Sequence, residues 1–81
     1  MPDGPSDEAL MAAYARGDGA AFDALFTRYE RRAYRFLLAR VRSPERAADL
    51  FQELFLRVHR GRDAFREDGR FDAWFFQIAR R

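Results

Sequence analysis

Eighty-one residues, 48% apolar and 35% charged, make one small domain with room for a single modest core. With no Cys and one His, a disulfide framework, a zinc site and most covalent or acid–base catalysis lack their residues, so the chain reads as a non-enzyme without metal or cofactor. No run approaches the roughly 20 apolar residues that span a bilayer, and no charged-then-apolar leader opens the sequence; the expectation is a cytoplasmic binding module with no membrane contact.

Residues 1–5 hold two Pro and a Gly and read as a mobile, disordered tail ahead of a domain spanning 6–81. Ser6 caps a first helix, with Asp7 and Glu8 at its positive end and Leu10, Met11 and Tyr14 on one face; Gly17 stops it. Asp18 caps a long second helix to about Val41. Its apolar stripe is Phe22, Leu25, Phe26, Tyr29, Ala33, Phe36 and Leu37, with Arg40 in register, and its other face carries Arg28, Arg31, Arg32 and Arg35. Ser43 and Pro44 open a third helix with a cap and a first-turn Pro. Its buried stripe is Ala47, Leu50, Phe51, Leu54, Phe55 and Val58, and Gly61 closes it. A polar loop, residues 62–69, has only Ala64 and Phe65 as apolar members. The last helix starts near Arg70 and stacks Phe71, Trp74, Phe75 and Ile78. No Gly, Asn or Pro follows before Arg81, so the chain reads as cut inside a helix. Sustained two-residue alternation is absent, and the fold class is all-α: a compact bundle of three main helices plus a short leading one.

The residues left outside these stripes fall into two constellations. On the third helix Asp49, Gln52, Glu53 and Leu56 share the face turned from the core. Two carboxylates at i,i+4 repel by only a few tenths of a kcal/mol, so this is either an ordinary solvated face or an acidic docking strip with Leu56 as its apolar anchor. The second lies later in the chain. Every one of the 15 basic residues is Arg; residues 1–56 hold 8 Arg against 9 acids, whereas 57–81 hold 7 against 4, a net charge of +3. Arg62, Arg66 and Arg70 flank Phe65, and the outer side of the last helix presents Asp72, Phe76, Gln77, Arg80 and Arg81. Arginines interleaved with an exposed aromatic suit unpaired bases, with cations for phosphates and a flat face for stacking. The alternative for Phe65 is a loop anchor folded into the core. His59 ends the third helix, where a structural or capping role outweighs catalysis.

Three stretches together resemble the extracytoplasmic-function sigma factors of bacteria. These are Gly17 and Asp18 followed by AFDALF at 21–26, AADLFQELFLRV at 47–58, and FDAWFFQIAR at 71–80. The resemblance runs from about Asp7 to Arg81 and is to conserved region 2, the helical sigma2 domain. It implies a function in transcription initiation: binding core RNA polymerase and recognising and melting the promoter minus-ten element. The third-helix residues Ala48, Asp49, Gln52, Glu53 and Leu56 match those expected on the β′ clamp helices. The loop with Arg62, Phe65, Arg66 and Arg70, and Phe76, Gln77, Arg80 and Arg81 of the last helix, match the surface that captures single-stranded non-template promoter DNA. An anti-sigma factor is a further implied partner, and a helix-turn-helix domain is expected beyond Arg81. This chain departs from the pattern at Ala48, where Glu is usual, at His59, where an aromatic is usual, and at Arg81, where Asn is usual. An Asn reads a base edge where an Arg can serve by gripping phosphate alone, so the departure at Arg81 leaves the base preference of the last helix open. The alternative function is a helical protein–protein adaptor that never meets DNA.

Overall fold

The computed structural model describes residues 4–66 and 68–81. Residues 1–3 of the expected tail, and Glu67 of the expected loop, lie outside the described residues. Four α-helices form where the punctuation places them: α1 (Asp7–Ala15), α2 (Gly19–Val41), α3 (Pro44–Arg60) and α4 (Phe71–Ala79), with a 3-10 turn at Arg62–Ala64 inside the connection before α4. Among the described residues there is no strand, and no helix is long and apolar enough to cross a membrane.

The caps act as their chemistry dictates. Ser6 Oγ accepts from the Ala9 amide at 3.0 Å, Asp18 Oδ1 from Ala20 and Ala21 at 3.0 and 3.3 Å, and Ser43 Oγ from Arg46 at 3.3 Å. At α4 the cap comes from elsewhere. Arg70 offers no side-chain bond to the helix start; Glu8 of α1 reaches across and its Oε2 accepts from the Phe71 amide at 2.7 Å. The first turn of α1 thereby fixes where α4 begins.

Leu10, Met11 and Tyr14 of α1, Leu25, Tyr29, Ala33 and Leu37 of α2, Ala47, Leu54 and Val58 of α3, and Phe71, Phe75 and Ala79 of α4 form the core with Ala21. Two members of the expected stripes are exposed. Leu50 keeps 37% of its surface exposed, because the short α4 covers only part of α3 on that side, and Arg40 is exposed.

Tyr29 couples the core to α1. Its hydroxyl donates to Asp7, whose other oxygen is 2.8 Å from Arg28. Burial first, and then the Asp7 hydrogen bond and charge, push the Tyr29 phenol well above the ordinary tyrosine value of about 10. The folded chain holds this proton at a pH where the unfolded chain has released it. Stability is therefore complete below about pH 10 and falls as the pH rises further, by up to about 1.4 kcal/mol per pH unit. Urea unfolding at pH 9, 10 and 11 should show this decline, with a shallower slope in Tyr29→Phe; parallel slopes would separate the loss from this hydroxyl.

Candidate functional site

The outward face of α3 carries Ala48, Asp49, Gln52 and Leu56, all exposed, with Leu56 at 49%. Glu53, expected beside them, is turned toward α4. It is half-buried, with one carboxylate oxygen 3.3 Å from Arg57 Nε and 3.8 Å from Arg60 Nη1. Its charge is largely answered within α3, so Asp49 is the open carboxylate of the strip.

Beside this face lies a feature the apolar periodicity conceals. Phe22, Phe26, Phe51 and Phe55, assigned to core stripes, are half-buried and line an open groove of about 1060 Å³ between α2 and α3, with Tyr14, Tyr34 and His59 around it and Ala48, Asp49, Gln52 and Leu56 along its rim. The rings lie edge-on or tilted, Phe26 to Phe55 at 4.8 Å and Phe51 to Phe55 at 5.1 Å between centroids. The signal available in sequence was the number of rings: nine Phe are more than the centre of so small a bundle can hold.

His59 closes one end of the groove as a hydrogen-bonding bridge. One ring nitrogen meets the Tyr14 hydroxyl, the other lies 3.4 Å from Arg62 Nη1, and the same Arg62 nitrogen donates to the His59 carbonyl at 2.6 Å. Arg62 donates only, so its contact fits the tautomer with Nε2 as acceptor and Nδ1–H toward the Tyr14 hydroxyl. Arg62 is thus anchored on the end of α3.

The loop and α4 split the residues expected on one surface. Phe65 is half-buried, 5.3 Å from Trp74 and 5.9 Å from Phe71 between ring centroids, so it braces the loop on α4. Phe76, expected to face solvent, instead lies in the seam between α4 and α2, 5.6 Å from Phe36 and 6.3 Å from Tyr29, with one part still exposed. Arg66 forks onto Asp68 with both contacts at 3.1 Å, and Arg70 lies 2.9 Å from Asp72. These pairings hold both carboxyls below the usual range. Gln77, Arg80 and Arg81 are exposed. Gln77 and Arg81 share a crevice of about 280 Å³ with Trp74, Arg60, Gly61 and Ala64. A methyl group at Gly61 would meet the Trp74 ring at 3.5 Å, an ordinary contact, and crowd the Arg57 carbonyl at 3.2 Å. Among the described residues no group of three acidic or His side chains could hold a metal ion.

The bundle thus presents one largely polar helix face beside an aromatic groove, and an arginine-rich end around a crevice lined by Trp74. The sigma-70 region 2 family model matches residues 25–81, and the chain belongs to that family. Several of its relatives bear the name of ECF RNA polymerase sigma factors. It is 40% identical over 73 residues to the ECF RNA polymerase sigma factor SigM of Mycobacterium tuberculosis H37Rv, covering 90% of this chain and 37% of that protein. It is 33% identical over 73 residues to the RNA polymerase sigma-H factor of Pseudomonas aeruginosa, covering 90% and 38%. With the ECF sigma-E factor of Escherichia coli K12 the identity is 32% over 74 residues, covering 91% and 38%. The chain thus spans a little over a third of the length of these relatives. The solved structure of an engineered region 2 of sigmaE in complex with GTAAAA superposes with a TM-score of 0.85 at 29% identity, covering 98% of this chain and 82% of that one. The all-α, sigma2-type fold read from the sequence is therefore the fold observed.

Proposed function

We propose that this domain holds core RNA polymerase through α3 and captures single-stranded promoter DNA with α4 and the preceding loop, so that the minus-ten element stays open for transcription to begin. Ala48, Asp49, Gln52 and Leu56, with Glu53 at the margin, make the face for the β′ clamp helices. An anti-sigma factor laid on the same face would compete with polymerase. Gln77, Arg80 and Arg81 face the strand, Arg62 and Phe65 shape the loop, and Arg66 and Arg70 exchange their carboxylate partners for phosphate. Phe76 supports the strand surface from the α2–α4 seam. The cytoplasm, where polymerase works, is its place of action.

The observation that carries this reading is the fold, shared at a TM-score of 0.85 with the engineered sigmaE region 2 whose solved complex contains GTAAAA. The mechanism is capture without bond chemistry. Opening and flipping a base costs a few kcal/mol. Stacking returns about 1–3 kcal/mol per base, and phosphate contacts add to it. The domain then holds what thermal opening exposes.

Fluorescence anisotropy with labelled GTAAAA, a scrambled hexamer and the corresponding duplex tests the reading. Single-stranded GTAAAA should bind best, with affinity falling as salt rises. Equal affinity for duplex and single strand would make the domain a duplex binder, and no binding to any of them would favour the adaptor reading.

A further inference from the structure

The exposed arginines of the most positive segment have no part in the surfaces described so far. Residues 24–42 hold six Arg and one acid, Glu30, a net charge of +5 against +3 for residues 57–81. Arg28 is tied to Asp7. Arg31, Arg32, Arg35 and Arg40 are exposed, and among the described residues none of the four forms an ion pair. The cations around the loop are the opposite case: Arg66 and Arg70 sit on Asp68 and Asp72, and Arg57 and Arg60 share Glu53. Four of the ten arginines without an ion pair among the described residues thus lie on α2.

That charge borders the crease where α4 rests on α2. Arg32 Cζ stands 4.6 Å from the centre of the Tyr29 ring and 5.6 Å from that of Phe76; Arg40 Cζ stands 5.4 Å from the centre of Phe36. Phe36 and Phe76 meet edge to face at 5.6 Å. Two guanidinium groups therefore bracket two half-buried rings in one continuous strip. Arg80, one turn beyond Phe76, lines the same crevice of about 250 Å³ as Arg40. A guanidinium resting on a ring keeps its in-plane N–H groups free for phosphate and loses less freedom when it binds. From Arg32 to Arg40 is about 12 Å along the helix, room for about three consecutive phosphates of an extended single strand.

We propose that Arg32, Arg35 and Arg40 of α2, with Arg80 of α4, form a second nucleic-acid contact: a phosphate track for nucleotides flanking those held by the loop and α4. This rests on the strand-capture reading, since the strand reaches the track from α4. The phosphate is that of a nucleic acid and not of a lipid surface. A membrane-binding helix needs a neighbouring apolar face to insert, whereas the large exposed apolar residues, Leu50 and Leu56, both belong to α3.

The test compares GTAAAA with the same hexamer carrying four thymidines at either end. On the natural chain one of the two extensions should bind several-fold tighter than the hexamer, with a salt slope steeper by about 2, from three phosphates at roughly 0.7 each. The triple variant Arg32→Gln, Arg35→Gln, Arg40→Gln should lose that gain and the added slope while binding the bare hexamer within about twofold of the natural chain. Arg35→Gln alone, which removes no ring contact, should reproduce part of the loss. The track is refuted if the triple variant keeps the gain from extension, or if hexamer and extended strand weaken equally. Displacement of the extended strand by poly-glutamate as effectively as by unlabelled oligonucleotide would instead make the row an acidic-protein surface. Failure of the natural chain to bind any single strand would sink the capture reading itself, whereas normal hexamer binding without a benefit from extension would sink only the track.

Discussion

Phe75→Ala should lower the unfolding free energy by about 3–5 kcal/mol. A domain of this size holds roughly 4–12 kcal/mol in all, so much of the variant population would be unfolded at 37 °C. Phe75 is 0% exposed and sits where three helices converge: its ring lies 5.0 Å from Tyr29 of α2, 5.5 Å from Phe55 of α3 and 5.7 Å from Phe71 of α4. The hole left by truncation has rigid walls on every side and cannot close. Thermal unfolding followed by circular dichroism should show a midpoint lower by about 15 °C or more. Its neighbour is the control. Phe76 is half-buried in the seam, so Phe76→Ala should cost less than half as much stability while lowering oligonucleotide affinity. Equal melting shifts for the two variants would show that α4 is rotated from the orientation described.

This contrast also shows what the sequence could disclose. Helix limits were legible because Ser6, Asp18 and Ser43 are local signals, each closing a hydrogen bond within three residues. The end of α2 had no such sign: Arg42 takes the left-handed conformation at φ 54°, where Gly or Asn is the usual occupant. The cap on α4 was equally hidden, since Glu8 is 63 residues from Phe71. Periodicity names the residues that prefer burial but not how far a neighbouring helix reaches to cover them. That is why Leu50 and the groove-lining Phe residues were placed in the core and Phe76 was placed outside. The net charge of residues 1–56 likewise hides the α2 row, because acids elsewhere in that stretch balance it in the sum but not in space.

The same spatial division ranks the acidic positions of α3, and Asp49→Arg should be the most damaging exchange for polymerase docking. Asp49 is exposed on the groove rim beside Gln52 and Leu56, and no ion pair engages it among the described residues. Reversal removes an attraction for a basic partner helix and adds a repulsion of the same order, about 2 kcal/mol together or roughly a thirtyfold loss of affinity. Glu53→Arg acts differently. It releases Arg57 and Arg60 from a shared carboxylate, on the side of α3 turned to α4, so it should weaken docking less and destabilise α3 slightly. Pull-down of a β′ clamp-helix fragment, with helicity checked by circular dichroism, separates the two. If Glu53→Arg abolishes capture while Asp49→Arg leaves it intact, the docking surface lies on the α4 side of α3, and the face carrying Gln52 and Leu56 serves another partner.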